Sequence, residues 1–150
     1  MIALSFWCLT LICCGFATAF GGRDGRRIAA IFVLGCLATV AAWFAQPDWS
    51  HTHLATFAVD CLVLAAFWKV ALGSDRLFPL WVAGFHAVTV VSHVASFVAP
   101  GYAFKLYFFL QSFWSVPVLL IMAGGVALDM RAGIADGEEP EPARAGDSSP

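Results

Sequence analysis

Among the polar residues inside the long apolar stretches of this chain, Asp60, His86, His93 and Gln111 stand out for the chemistry they could do. Polar groups of these types are unfavourable in a lipid interior, so each is a functional candidate. Asp60 lies six residues into the run Leu54–Leu72, and His93 lies five residues before the end of the run Leu77–Val98. If the two runs are antiparallel helices, a rise of 1.5 Å per residue puts both groups about 7–9 Å from one end. An Asp–His pair at that level lowers the cost of burying either partner. His86 precedes His93 by seven positions, two helical turns, and therefore shares its face about 10 Å deeper. His53 precedes Asp60 by the same spacing, at the outer surface. Gln111 falls near the middle of the last apolar run, with Trp114 three positions on along the same side and Ser112, Ser115 and Pro117 close by. Pro117 frees a backbone carbonyl and kinks its helix. Together these residues outline a polar track through the third, fourth and fifth runs.

Three chemistries fit such a track. The polar groups can hydrogen-bond helices to one another inside lipid, as structural glue. Asp60, His93, His86 and Gln111 can form a proton relay or a small-ligand site. His51, His53, Asp60 and His93 can supply imidazole and carboxylate ligands to a metal near the outer surface, although an H-x-H pair in a loop is more often simply solvated. A haem clamped by two histidines needs them on facing helices, whereas His86 and His93 share one run; a haem held by a single histidine remains open. No cofactor is predicted. The five cysteines, Cys8, Cys13, Cys14, Cys36 and Cys61, all fall inside apolar runs without a C-x-x-C, as small hydrophobes do.

The elements that position these groups are five apolar runs, Ile2–Phe20, Ile28–Ala45, Leu54–Leu72, Leu77–Val98 and Ala103–Leu128. Each is near the ~20 residues a membrane helix requires, and each junction carries Gly or Pro. The composition agrees: 61% of residues are hydrophobic, 12% are charged and the mean hydropathy is +0.82. One soluble core of this size could not bury so much apolar surface. The expectation is an all-α, polytopic membrane helix bundle with five transmembrane helices over residues 1–128, packed up and down because the gaps are short. Gly15, Gly35, Ala38 and Ala42 are expected at close helix contacts. Residues 129–150, rich in Gly, Pro, Ser and acids, are expected to form a disordered cytoplasmic tail.

Direction follows from the basic residues. Arg23, Arg26, Arg27, Lys69, Arg76, Arg131 and Arg144 fall on one side of the bundle, and only Lys105 falls on the other. The positive-inside rule makes the richer side cytoplasmic, with the N-terminus outside and the C-terminus inside. Trp43, Trp49, Tyr102 and Tyr107 cluster at the outer boundary, and Trp68 and Trp81 at the inner one. Ala17-Thr18-Ala19 offers a signal-type cleavage site, but no Lys or Arg precedes the apolar stretch, so the first run is read as a retained helix. The short-looped, Ala-rich style suggests a bacterial inner membrane.

The net charge of −2 conceals an asymmetry: residues 129–150 hold six acids against two Arg. An acidic tail and the lack of a basic patch argue against a nucleic-acid partner. No H-E-x-x-H, P-loop, G-x-S-x-G or G-x-G-x-x-G motif occurs, so an enzyme is not expected. The loop Arg23-Asp24-Gly25-Arg26-Arg27 reads as topogenic, with affinity for anionic lipid. The functional expectation is a small non-enzymatic membrane component or accessory subunit, its partners the lipid bilayer and other membrane subunits. The alternatives are a small proton-linked transporter or relay using the Asp/His/Gln cluster, and a metal- or haem-binding membrane protein.

Overall fold

A computed structural model describes residues 2–45, 54–98 and 104–134, and these residues form five α-helices and no strand. They are α1 (Ile2–Phe20), α2 (Gly22–Ala45), α3 (Leu54–Leu72), α4 (Phe78–Val98) and α5 (Phe104–Arg131). Each helix packs on its neighbours in sequence, and α5 closes back onto α1. The result is a ring of five helices. Four of them carry segments long and apolar enough to cross a membrane: Gly22–Ala42, Leu54–Leu72, Phe78–Phe97 and Phe113–Arg131. The apolar stretch of α1, Leu4–Phe20, is shorter. Large apolar side chains point outward on every helix, among them Leu11, Ile12, Leu34, Leu62, Leu72, Val91 and Leu120. A soluble protein rarely exposes so much contiguous apolar surface, whereas a bilayer covers it.

Two helix boundaries depart from the sequence expectation by more than one residue. The second helix begins at Gly22 rather than Ile28, and the fifth runs through Arg131 rather than ending at Leu128. Hydropathy marks where a helix enters lipid, not where its hydrogen bonds begin. Asp24 sits in the first turn of α2 and Arg131 in the last turn of α5. Both charges complement the helix dipole and prolong the helix into water. The described chain after Arg131 is a turn that includes Gly133 in the left-handed region (φ 67°). The remainder of the expected disordered tail, from residue 135 on, lies outside the described residues.

The corner between α1 and α2 is a single residue, Gly21. Gly22 follows with φ 63°, a left-handed conformation that glycine adopts without penalty. A Cβ on Gly21 would lie 2.5 Å from the Ala17 carbonyl oxygen, 2.8 Å from Gly25 Cα and 2.9 Å from Val126 of α5. The ends of α1 and α5 therefore meet at one pole of the bundle, and the two helices run parallel. The loop between α3 and α4 comes to the same pole. Ser74 Oγ donates to Asp24 Oδ2 (2.6 Å) and accepts from the Arg76 backbone N–H (3.1 Å). Arg76 Nη1 donates to the Gly21 carbonyl (3.1 Å) and lies 3.6 Å from Asp129 Oδ2. This polar clasp joins three chain segments remote in sequence. Trp68 and Trp81 are exposed near the same pole.

Among the four small residues expected at close contacts, Gly35 meets the Val63 side chain of α3. Gly15 and Ala38 instead face outward. The tightest approach is at Gly125, where an added Cβ would collide with Phe78 Cβ of α4. Cys13 and Cys14 belong to the core, while Cys8 is exposed.

Candidate functional site

Asp60 and His93 meet across the α3–α4 seam. His93 Nε2 lies 2.7 Å from Asp60 Oδ2, with the imidazole fully buried (0% exposed) and Asp60 nearly so (9%). The similar depths of the two residues from their helix ends produce this contact, because α3 and α4 are antiparallel neighbours. At that distance one proton has two resting places. Either the imidazole N–H donates to a carboxylate, or a carboxylic acid O–H donates to the neutral ring.

His86 converges on the same residue from deeper in the bundle. Its Nε2 lies 3.2 Å from the Asp60 backbone carbonyl and 3.9 Å from Asp60 Oδ1. A carbonyl only accepts, so this nitrogen carries the hydrogen. Helical carbonyls point toward the helix C-terminus, while side chains lean toward the N-terminus. Asp60 thus presents its carbonyl to the deeper histidine and its carboxylate to the shallower one. Aromatic rings wall the site. Phe57 lies 5.7 Å from the His93 ring, with Phe97 against it at 5.5 Å, and Phe67 lies edge-on to His86 at 5.3 Å.

The seam is longer than these three residues. On α4 the buried polar residues His86, Thr89, His93 and Ser96 recur at spacings of three and four, a single helical stripe. Thr56 and Asp60 make the matching pair on α3. Ser96 Oγ donates to the His93 carbonyl (2.8 Å). The buried threonines were not singled out from sequence, although their three- and four-residue offsets from Asp60 and the histidines are a usable signal. Thr10 of α1 is also fully buried, with its hydroxyl donated to the Phe6 carbonyl (2.9 Å). Cys36 of α2 lies within electrostatic reach of Cys14 and of Asp60.

The expected contribution of α5 is only partly described. The Gln111 side chain lies outside the described residues, as do His51 and His53. Trp114 packs near Phe85 (6.5 Å), the residue before His86, and its buried indole Nε1 has no hydrogen-bond partner among the described residues. Among the described residues no group of three His, Cys, Asp or Glu side chains is arranged to hold a metal ion. Both Nε2 atoms are directed at Asp60, so a metal or haem iron binding there would have to displace those contacts.

Chemically, one carboxylate and two imidazoles in a nearly dry layer can hold a variable number of protons. Histidine is the side chain whose unperturbed charge change falls nearest neutral pH. The chain matches no protein-family model, no curated protein and no solved structure.

Proposed function

We propose that this protein is a small non-enzymatic component of the membrane whose working part is a buried proton-binding site, Asp60–His86–His93. The observation that carries this reading is the convergence of two imidazoles on one buried carboxylate, at 2.7 Å and 3.9 Å. Helix glue requires only one neutral donor and one acceptor. Three titratable groups sharing one layer make protonation, and hence the local charge, variable. Gln111 is a candidate fourth member by its position on α5.

The same reading takes α1 as a fifth span. Its 19 residues extend about 28 Å, close to the hydrocarbon thickness, and it packs beside two longer helices. The pole bearing the clasp carries Arg23, Arg26, Arg27, Arg76 and Arg131, which favours that pole as the cytoplasmic one. The outer pole then holds the N-terminus. Short connections and Ala-rich helices favour a bacterial inner membrane. The bilayer covers the outward apolar faces, and other membrane subunits are the natural partners for so small a ring.

The test is nitrogen NMR of the imidazoles in bicelles between about pH 4 and pH 9, spanning ordinary carboxylate and imidazole titrations. In the wild type the His86 and His93 signals should move in linked steps, and Asp60→Asn should change both. Imidazole signals that stay constant with pH, and indifferent to Asp60→Asn, would reduce the cluster to static packing.

A further inference from the structure

The buried interior of this bundle is divided in two along its axis. Toward the clasp pole, the buried residues of all five helices are apolar apart from the cysteines: Cys13–Ala17, Ile28–Phe32, Phe67–Ala71, Phe78–Ala83 and Val118–Val126 bound that half. Toward the opposite pole, the buried residues of α3 and α4 are Thr56, Asp60, His86, Thr89, His93 and Ser96, every one with a side-chain polar atom. The change comes at one level on both helices, between Asp60 and Phe67 on α3 and between His86 and Ala83 on α4. Phe67, fully buried and edge-on to the His86 ring, forms the floor.

We infer that the proposed proton site exchanges with one face of the membrane only, the face at which α3 begins and α4 ends. This rests on the proposed function and adds to it the compartment that is read. The apolar layer is about 12 Å deep from Val118 to Val126, at the helical rise per residue. Its lining offers water no set of polar partners, and apolar interiors stay dry. A proton cannot cross such a layer by hydrogen-bond transfer. On the other side, Thr89, Ser96 and Thr56 place hydroxyls beside the site at successive turns. Among the described residues, the titratable groups around Asp60 are His86 and His93 of α4, the adjacent Cys61 of α3 and, within electrostatic reach, Cys36 of α2, which is in turn near Cys14 of α1. The charged residues of α5 with described side chains, Asp129 and Arg131, stand at the clasp pole. With the clasp in the cytoplasm, the site reads the acidity of the outer compartment and carries no proton current across the membrane.

The experiment uses the full chain sealed in phosphatidylcholine vesicles. An affinity handle after Pro150, or in a second preparation before Met1, retains only vesicles with that end outward. A pH jump is applied outside with an impermeant buffer, and the infrared carboxyl and imidazole bands are followed. Vesicles with the N-terminal end outward should respond at once. Those with the C-terminal end outward should respond only after a proton ionophore is added. Equal prompt responses in both preparations overturn the one-sidedness and leave the proton site standing, as does a prompt response from the clasp pole alone. No response in either preparation, even with ionophore, removes the site and the inference together. Phe67→Ala, which takes away the floor, should shrink the difference between the preparations; the wild-type comparison decides the matter by itself if that variant fails to fold.

Discussion

Separating Asp60 from His93 should reveal a coupling of about 1–2 kcal/mol between them. The perturbation is a double-mutant cycle of Asp60→Ala, His93→Ala and both together. In a soluble core, breaking one side of a buried ion pair costs about 3–5 kcal/mol, because the survivor is left charged and unpaired. Two features lower that figure here. The carboxyl can take up a proton and become neutral, and helices unfolded within a bilayer find other partners, which holds measured interhelical hydrogen bonds to about 0.6 kcal/mol on average and about 1.7 at most. The 2.7 Å separation and complete burial of His93 place this pair at the upper end. His86, 3.9 Å from the free carboxylate oxygen, offers partial relief when His93 is lost. His93→Ala alone should cost about 2–4 kcal/mol, since it also leaves a ring-sized void. The assay is reversible unfolding in mixed micelles followed by tryptophan fluorescence. If the two single losses add to the double loss within about 0.3 kcal/mol, the groups do not interact and the reasoning fails.

Further perturbations test the frame around the site. Gly125→Ala should destabilise the bundle by about 1–3 kcal/mol, because the new methyl meets Phe78 Cβ, an atom fixed to the backbone. Gly124→Ala, with nothing within 4 Å of its Cβ, should be neutral or gain up to about 1 kcal/mol in helix propensity; equal losses at the two positions would contradict the close approach. Arg76→Ala should cost about 1 kcal/mol by releasing the Gly21 carbonyl and Asp129, and adding Asp129→Asn to it should then cost almost nothing further. A reporter enzyme fused after Ile134 should be active in the cytosol, and activity only on export would reverse the proposed orientation.

The meeting of Asp60 and His93 is legible in the sequence because two simple regularities fix it: a constant rise per residue, and antiparallel packing of neighbours joined by a short link. The same arithmetic places His86 below them. It does not show that His86 reaches the Asp60 carbonyl, since that depends on ring orientation. The early start of α2 is hidden because Gly22–Arg27 has the composition of a loop. Small residues mislead for a related reason. Gly15, Gly35 and Gly125 all interrupt apolar helices, and only the rotation of each helix in the ring decides that Gly35 and Gly125 meet a neighbour while Gly15 faces outward. The polar and apolar halves of the interior also escape a span-by-span reading. Hydropathy averages along a helix, whereas the division exists only across helices, at a common depth.

A ring with an odd number of alternating helices must contain one side-by-side pair that points the same way, and here it is α1 with α5. Their interface joins the first of the five helices to the fifth. The ring therefore stays unsealed until α5 has been made, with the Ala17–Gly21 edge of α1 waiting for Val126. A chain arrested after α4 would leave that edge uncovered.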